Sequence, residues 1–251
     1  MPSGFLNARQ TLNIAHRGAS AVAPENTLAA FERAKALGAD GIELDIQLCS
    51  DGVPVVIHDT TVERTTDGSG RVADMTLTQL KELDAGSWFS PVFSAEPIPT
   101  LMETLETVGG KLLLNIELKG EGLVSRGLAR RVVDVIKQYG SSERVLLSAF
   151  NPIILGRVQK VAPEIPTALI YASASLPRFA GLIARRPYAA LHPHVAIVDR
   201  GHMTWARRQD YRTHVWTVDD PGEMRRLIRW GVDGIITNVP DRLCRLLGSE
   251  T

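Results

Sequence analysis

The chain has 251 residues, of which 44% are hydrophobic and 22% are charged, and these proportions are ordinary for a globular protein. Lysine and arginine total 28, and aspartate and glutamate also total 28, so the formal net charge is zero with neutral histidines. This balance gives no reason to expect a nucleic-acid polymer or an anionic membrane surface as partner. It does not exclude a small anionic substrate, because a local cluster of charges can act inside a neutral protein.

The two cysteines, Cys49 and Cys244, are too far apart in the sequence for a metal-binding or redox motif, and we interpret them as free thiols. The first nine residues lack the basic start and apolar run of a signal peptide. No apolar stretch approaches the roughly 18 residues that a membrane span needs. We therefore expect a cytoplasmic protein without stable membrane anchoring.

Short apolar runs with strand character alternate with longer amphipathic stretches along the chain. The strand candidates are residues 12–15, 41–48, 53–58, 111–118, 144–149, 167–171, 190–192, 214–218 and 234–237. Helix-like stretches lie between most of them, among them residues 27–37, 123–139, 223–230 and 241–247. This alternation predicts βα units around a parallel sheet.

Only residues 49–52 separate the second and third strand candidates, which is too short for a crossover between parallel strands. Ser50-Asp51-Gly52 is instead a turn sequence and predicts an antiparallel hairpin. With the turn centred on Asp51 and Gly52, opposite residues have numbers that sum to about 103, which places His58 beside Asp45.

Eight strands remain when the extra hairpin strand is set aside. Eight parallel strands with outer helices predict a closed (β/α)8 TIM barrel, in which reactive groups lie at the carboxyl ends of the strands. A doubly wound open sheet is the alternative. The sequence contains no glycine-rich dinucleotide fingerprint and no phosphate-binding P-loop that would support it.

Residues 60–99 interrupt the alternation, because they are rich in Thr, Asp, Gly and Pro and contain one short helical stretch near residues 77–83. We interpret them as a small insertion after the second-strand hairpin, lying over the active end of the barrel. The whole chain, residues 1–251, is then expected to form a single domain.

His16-Arg17-Gly18 directly follows the first strand candidate, at the end where barrel enzymes carry their chemistry. An imidazole transfers protons near neutral pH, and a guanidinium binds two phosphate oxygens at once. Gly18 allows the backbone to turn sharply. A surface loop would also account for this motif taken alone.

Pro24-Glu25-Asn26-Thr27 marks the start of the helix predicted over residues 27–37. A proline near the start of a helix and Asn or Thr as its cap are structurally sufficient to explain the motif. A supporting contact of Glu25 or Asn26 with the site is the alternative.

Carboxylates supply the clearest chemical signal. Glu43 and Asp45 alternate with apolar Ile42 and Leu44 in a strand, so both project from one face. Two like charges inside a barrel repel each other and are costly to desolvate, and a divalent cation would relieve both costs. Glu117 in a later strand adds a third carboxylate, and three oxygen ligands suit Mg²⁺ or Ca²⁺ rather than zinc. Pairing with basic residues is the alternative.

Lys119 shares a strand face with the third carboxylate, either as its simple ion-pair partner or as a point charge for an anion. Together with Arg17 and a cation, it would form a pocket for one phosphate. His16 and His58 would then provide a proton donor and a proton acceptor, in either order, and this combination fits phosphoryl transfer. Trp216 is a candidate apolar wall for an alkyl or glycerol group, or a core residue.

These motifs resemble the glycerophosphodiester phosphodiesterase family in order and spacing over nearly the whole chain. The resembling stretches are His16-Arg17-Gly18, Pro24-Glu25-Asn26-Thr27, Glu43-Leu44-Asp45, Ser50-Asp51-Gly52, Val56-Ile57-His58-Asp59, Ile116-Glu117-Leu118-Lys119, Trp216-Thr217-Val218 and Gly234-Ile235-Ile236-Thr237-Asn238. The pattern is loose over residues 190–201, where we transfer nothing.

The resemblance implies a (β/α)8 barrel that hydrolyses glycerophosphodiesters to glycerol 3-phosphate and an alcohol, and it matches residues 60–99 to the small insertion of the family. It implies Mg²⁺ or Ca²⁺ as cofactor and a small-molecule substrate as partner, and no feature assigns an oligomeric state. The implied site consists of metal ligands Glu43, Asp45 and Glu117, an acid–base pair of His16 and His58, and phosphate-binding Arg17 and Lys119.

Two other functions remain open from the sequence. A lysophospholipase D or a ring-forming sphingomyelinase-like lyase would need an apolar, membrane-facing rim, and the sequence shows no obvious one. A catalytically silent phosphodiester-binding protein is the other alternative, and the presence of every candidate polar residue argues against it.

Overall fold

A computed structural model of the chain describes residues 4–108, 110–120, 127–140, 142–173 and 188–249. The strands are β1 (Leu12–His16), β2 (Gly41–Leu48), β3 (Pro54–Val56), β4 (Leu113–Leu118), β5 (Val145–Ala149), β6 (Thr167–Tyr171), β7 (Ala190–Pro193), β8 (Arg212–Val215) and β9 (Gly234–Thr237). The α-helices of the described ranges are α1 (Leu28–Ala36), α2 (Leu77–Lys81), α3 (Leu101–Val108), α4 (Leu128–Tyr139), α5 (Pro152–Val161), α6 (Arg200–Arg208), α7 (Pro221–Trp230) and α8 (Pro240–Ser249). None of these helices has the length and apolar character that a membrane crossing requires.

Eight parallel strands close into a barrel, in which β1 pairs with β2 on one side and with β9 on the other. The remaining neighbours follow the order β9-β8-β7-β6-β5-β4-β2, and β3 is added to β2 as the ninth strand. The predicted (β/α)8 barrel is thereby confirmed. The open doubly wound sheet is excluded because an open sheet has no pairing between its first and last strands.

Two element boundaries differ from the prediction for local reasons. The run over residues 111–118 becomes a strand only at Leu113, because the N–H groups of Lys111 and Leu112 donate to the Val108 carbonyl at the end of α3. The helix predicted over residues 123–139 is observed from Leu128, and residues 123–126 lie outside the described ranges.

The β2–β3 hairpin is present, but its pairing is shifted by one residue from the prediction. Opposite residues have numbers that sum to 102, because the turn contains three residues and ends at Gly52 with a φ of 74°. Ile57 therefore lies beside Asp45, and its N–H donates to the Asp45 carbonyl at 2.9 Å. The prediction that His58 would lie directly opposite Asp45 is wrong.

Apolar side chains fill most of the amino-terminal half of the barrel interior, so the cavity lies toward the carboxyl ends of the strands. The inward-facing apolar residues are Leu12, Ile14, Leu113, Leu146, Ala168, Ala190 and Ile236. In β4 the inward row continues from Leu113 to Asn115 and Glu117, because alternate strand residues face the same side. The polar residues that continue this row therefore lie toward the carboxyl half of the interior. Buried His214, which pairs with Gly234 and contacts the Phe5 ring, is a polar residue at the amino-terminal level.

Residues 60–99 pack against the hairpin through an apolar cluster of their own. The cluster consists of Cys49, Val55, Ile57, Val62, Val72, Leu80, Ala85 and Ile98. The short helix expected near residues 77–83 is α2, which Thr76 caps by accepting a hydrogen bond from the Gln79 N–H. Because Ile57 belongs to the cluster, this segment supports the chain next to His58.

Two glycines test the barrel packing. A Cβ on Gly41 would lie 2.7 Å from the Leu113 carbonyl oxygen, whereas one on Gly156 in α5 would meet open space. We expect Gly41→Ala to lower the free energy of unfolding by about 1–3 kcal/mol and Gly156→Ala to raise it by about 0.5–1 kcal/mol. Urea denaturation followed by circular dichroism measures both changes, and a Gly41→Ala protein as stable as the wild type would contradict the close β2–β4 contact.

Candidate active site

Side chains at the carboxyl ends of the strands surround a cavity of about 230 Å³. Its lining includes seven of the eight residues that the sequence analysis assigned to the site, namely His16, Arg17, Glu43, His58, Glu117, Lys119 and Trp216. The eighth, Asp45, is 1% exposed and pairs with Arg17 and Lys119. The structure therefore brings all eight together.

Three buried carboxylates form the centre of the site. Glu43, Asp45 and Glu117 each place one ligand oxygen so that the three atoms lie within 4.8 Å of one another. The strand pairing explains this arrangement, because Asp45 lies opposite Glu117 and Glu43 is two residues earlier on the same face of β2. Like charges at this spacing destabilise one another unless cations compensate them.

Two basic side chains compensate Asp45 more fully than the other carboxylates. The Lys119 ammonium lies 3.0 Å from Asp45 Oδ1 and 2.6 Å from Glu117 Oε1, and Arg17 Nε lies 3.3 Å from Asp45 Oδ2. Burial alone would raise the pKa of Asp45, but the charges of Lys119 and Arg17 lower it to about 2. The basic partners that were the alternative to a cation are therefore present.

Glu43 and Glu117 are compensated less fully than Asp45, so their charged forms are disfavoured. Burial, and then the charges of Asp45 and Glu117, raise the pKa of Glu43 well above its usual value. Burial and the Asp45 charge raise the pKa of Glu117 to about 7 despite its contact with Lys119. With all three carboxylates ionised, the two cationic side chains would leave a surplus of negative charge. An all-oxygen donor set with this surplus fits a hard divalent cation such as Mg²⁺ or Ca²⁺.

Asn238 determines which nitrogen of His16 faces the cavity. The Asp219 carboxylate accepts a hydrogen bond from the Asn238 side-chain amide at 2.6 Å, which fixes the orientation of that amide. The Asn238 oxygen then faces His16 Nδ1 at 2.8 Å, so Nδ1 carries the proton. His16 Nε2 presents its lone pair to the cavity, 4.0 Å from Glu43 Oε2. Burial, followed by the Arg17 charge, lowers the pKa of His16.

His58 has a carboxylate partner instead. Its Nδ1 lies 2.6 Å from Asp59 Oδ1, and Arg64 Nε donates to Asp59 Oδ2 at 2.5 Å. The Arg64 hydrogen bond is the main cause that lowers the pKa of Asp59 to about 2. Asp59 is therefore an acceptor and His58 Nδ1 a donor. The Gln47 amide donates to the His58 carbonyl at 3.0 Å and so holds the backbone of this loop.

The loop after β1 has a backbone conformation that restricts its residues. Gly18 has a φ of 83°, and a Cβ there would lie 2.7 Å from the Ala30 Cβ, so glycine is required. Arg17 itself has a φ of 54°, which is uncommon for a residue with a side chain. Its guanidinium contacts Asp45 and also Glu25, where Nη1 and Oε1 are 2.8 Å apart.

Residues 24–27 both cap helix α1 and contact residues of the site. Thr27 caps α1 by accepting a hydrogen bond from the Ala30 N–H at 3.2 Å. Asn26 donates to Asp45 Oδ2 at 2.8 Å and accepts from the Asp45 N–H at 3.2 Å. Glu25 pairs with Arg17 and with Arg64.

Trp216 forms part of the cavity wall and also packs into its surroundings. Its Nε1–H donates to the His192 carbonyl at 2.7 Å, and its ring meets Phe150 edge-on with centroids 5.5 Å apart. The two interpretations of Trp216, cavity wall and packed residue, are compatible.

Several supporting residues had no role in the sequence analysis. Asp59 and Asn238 stand in motifs that were quoted without a role, and Asp219 directly follows the motif Trp216-Thr217-Val218. Asn238 could have been found from its position, because it directly follows β9, the neighbour of the strand that ends at His16. No periodicity predicts the contacts of Arg64, which lies in the irregular segment 60–99.

A larger cavity of about 580 Å³ continues from the smaller one. The two share the lining residues His58, Glu117, Lys119 and Phe150. The larger cavity extends to Thr60 and Arg71 of the insertion. His16 lines only the smaller cavity, whereas His58 lies at the junction.

Comparison with known proteins agrees with the resemblance. A glycerophosphodiester phosphodiesterase of Caldanaerobacter subterraneus subsp. tengcongensis is 44% identical over 239 residues, which cover 95% of this chain and 98% of that protein. A glycerophosphodiester phosphodiesterase of Bacillus subtilis is 32% identical, with 94% of this chain and 86% of that protein covered. The solved structure of an Oleispira antarctica phosphodiesterase in complex with the product sn-glycerol-3-phosphate has a TM-score of 0.89 and 32% identity, and the match covers 95% of this chain and 96% of that one.

A sequence profile of a family also matches most of the chain. The profile of the Glycerophosphoryl diester phosphodiesterase family matches residues 16–242, a span that contains all eight assigned site residues. Together with the full-length relatives, this match shows that the chain belongs to the Glycerophosphoryl diester phosphodiesterase family.

Proposed function

We propose that this protein hydrolyses glycerophosphodiesters to glycerol 3-phosphate and an alcohol, with a divalent cation, Mg²⁺ or Ca²⁺, as cofactor. The observation that carries the proposal is the convergence of three buried carboxylates, two histidines and two basic side chains on one cavity. The names of the relatives and the product bound in the Oleispira antarctica structure support the same substrate class.

Glu43, Asp45 and Glu117 would hold the cation. Ionised Glu43 and Glu117 are costly in the protein alone, as their raised pKa values indicate, so cation binding and their ionisation favour each other. When bound, the cation would act as a Lewis acid toward the phosphate oxygens.

Arg17 and Lys119 would bind the nonbridging phosphate oxygens. The planar guanidinium of Arg17 contacts two oxygens in a fork, and the Lys119 ammonium adds a point charge beside it. Trp216 would contact the carbon atoms of the substrate as an apolar wall. These contacts orient the phosphodiester between the two histidines.

Hydrogen-bond partners favour one assignment of the histidines. His16 would accept the proton of the nucleophile, because Asn238 leaves its Nε2 with a free lone pair toward the cavity. The nucleophile is either water, which gives glycerol 3-phosphate directly, or the adjacent glycerol hydroxyl, which gives a cyclic phosphate that water then opens. His58 would give a proton to the departing alkoxide, with Asp59 holding its Nδ1–H and orienting the ring. His58 also lies at the entrance to the larger cavity, which is where an alcohol of variable size would leave.

The insertion would contribute to the alcohol side of the site. Thr60, Arg71 and Ala73 line the larger cavity, so residues 60–99 form one of its walls. The chain would then act as a single domain on a small-molecule substrate.

Removal of divalent cations with a chelator is expected to abolish release of glycerol 3-phosphate from glycerophosphocholine, and added Mg²⁺ or Ca²⁺ should restore it. Glu117→Gln should raise the cation concentration needed for half-maximal activity roughly tenfold or more. Glu164→Gln, at an exposed surface pair with Lys137, serves as the control. Full turnover after complete chelation would contradict the cation requirement.

The same release assay tests the substrate class. Faster cleavage of a lysophospholipid than of glycerophosphocholine would favour the lysophospholipase D alternative.

His16→Ala and His58→Ala are each expected to lower kcat roughly 10²–10⁴-fold, because each removes one proton-transfer group. Circular dichroism and the melting temperature should stay close to wild type. His202→Ala is the control for loss of an imidazole outside the site. His202 lies on α6 and its side chain forms a hydrogen bond with Tyr171. Near-normal turnover in either active-site variant would reject its proposed role.

Asp59→Asn is expected to lower kcat at least about tenfold, because an amide no longer fixes the His58 ring in one tautomer. The KM for glycerophosphocholine should change less, since Asp59 is not assigned to the phosphate. Asp220→Asn, at the start of α7, is the matched control. An unchanged kcat in Asp59→Asn would remove the positioning role.

A further inference from the structure

The smaller cavity contains polar atoms that no protein group satisfies. Within the described residues, Asn115 Oδ1 and Nδ2 and His192 Nδ1 are buried without a hydrogen-bond partner. Asn115 is 0% exposed and His192 is 1% exposed, and both line the cavity. Such atoms are rare in folded proteins because an unpaired buried polar group costs stability. They are therefore candidates for ligand contacts.

Asn115 and His192 lie deeper in the barrel than the phosphate-binding groups. Asn115 lies opposite Glu43 and precedes Glu117 by two residues in the same inward-facing row of β4. His192 lies on β7 beside Ile170, on another part of the cavity lining. A substrate whose phosphate contacts Arg17 and Lys119 would direct one of its two ester groups toward Asn115 and His192.

His192 can donate or accept a hydrogen bond at its free nitrogen. Its Nε2 lies 3.1 Å from His214 Nδ1, so one ring donates to the other. Burial, and then the His214 charge, lower the pKa of His192 well below its usual value, which keeps it neutral. A hydroxyl group satisfies its Nδ1 in either tautomer, since a hydroxyl is both donor and acceptor. The Asn115 amide likewise offers a donor and an acceptor.

Other ligand groups fit this part of the cavity less well. A second anion would be buried beside the carboxylates of Glu43 and Glu117, which flank Asn115. An apolar chain would leave the Asn115 and His192 atoms unpaired. The whole smaller cavity, with the side chains assigned to phosphate included in its lining, has a volume of about 230 Å³, which leaves room for only a short group beside Asn115 and His192. The adjoining cavity of about 580 Å³ suits a variable alcohol. Ile236 and Trp216 supply apolar contacts for carbon atoms.

We propose that Asn115 and His192 form a subsite for the hydroxyl groups of the glycerol end of the substrate, and that this subsite selects glycerol phosphodiesters over diesters of simple alkyl alcohols. The inference rests on the proposed function and extends it to the residues that recognise glycerol. Trp216 positions His192 through the hydrogen bond to its carbonyl.

Glycerol 3-phosphate and n-propyl phosphate test the subsite, because they share a phosphate and three carbons and differ in two hydroxyl groups. Their inhibition constants are measured against hydrolysis of glycerophosphocholine by the cation-loaded enzyme. Wild type is expected to bind glycerol 3-phosphate about tenfold or more tightly than propyl phosphate. Asn115→Leu and His192→Phe should each reduce this preference several-fold and leave the affinity for propyl phosphate almost unchanged.

Thr213→Val is the matched control, because Thr213 Oγ1 is also buried and unpartnered but does not line the cavity. It should keep the wild-type preference. The melting temperature of ligand-free Asn115→Leu should not fall, since the amide has no protein partner to lose. His192→Phe keeps the test available if Asn115→Leu does not fold.

Three results would overturn the subsite. In the first, wild type binds glycerol 3-phosphate no more tightly than propyl phosphate. In the second, both variants keep the full wild-type preference. In the third, both variants lose affinity for the two compounds equally and also lose stability. Each would show that the polar atoms contact water or support the barrel only. Absence of glycerophosphocholine hydrolysis by wild type would instead contradict the proposed function itself.

Discussion

Placing three carboxylates within 4.8 Å of one another in the interior of a barrel is unfavourable, because burial and mutual repulsion both disfavour their charged forms. Much of the surrounding structure reduces this cost. Lys119, Arg17 and Asn26 all contact Asp45, and the Arg17 N–H contacts Glu43. The remaining charge on Glu43 and Glu117 explains why a cation would bind here, and why the same position would attract a phosphate once the cation is bound.

Barrel closure orients His16, one of the two histidines of the proposed acid–base pair. His16 ends β1 and Asn238 follows β9, so the two residues meet only because the first and last strands pair. His58 depends on a different part of the chain, since Asp59 is held by Arg64 of the insertion. The two histidines thus face one cavity but are oriented by independent networks, and this difference gives them different proton-transfer roles in the proposed mechanism.

Local patterns account for what the sequence predicted. The alternation in Glu43-Leu44-Asp45 placed two carboxylates on one face, and the four-residue gap before Val53 predicted the hairpin and hence eight barrel strands. The register of that hairpin depends on whether its turn has two or three residues, which the turn sequence does not determine. Asn115 and His192 were not singled out as site residues, because a buried polar atom without a protein partner is visible only once its neighbours are known. The contacts of Arg64 come from irregular backbone that has no periodicity to interpret.

The central claim is that Glu43, Asp45 and Glu117 together bind one divalent cation, even though Lys119 and Arg17 already neutralise part of their charge. A crystal structure of the protein grown with Ca²⁺ and glycerol 3-phosphate, with the ion located by its anomalous scattering, tests it most directly. The account predicts one ion about 2.3–2.6 Å from oxygens of all three carboxylates, with a phosphate oxygen of the product among its remaining ligands. An ion bound elsewhere, or a product phosphate held by Arg17 and Lys119 with no ion at the carboxylates, would contradict it.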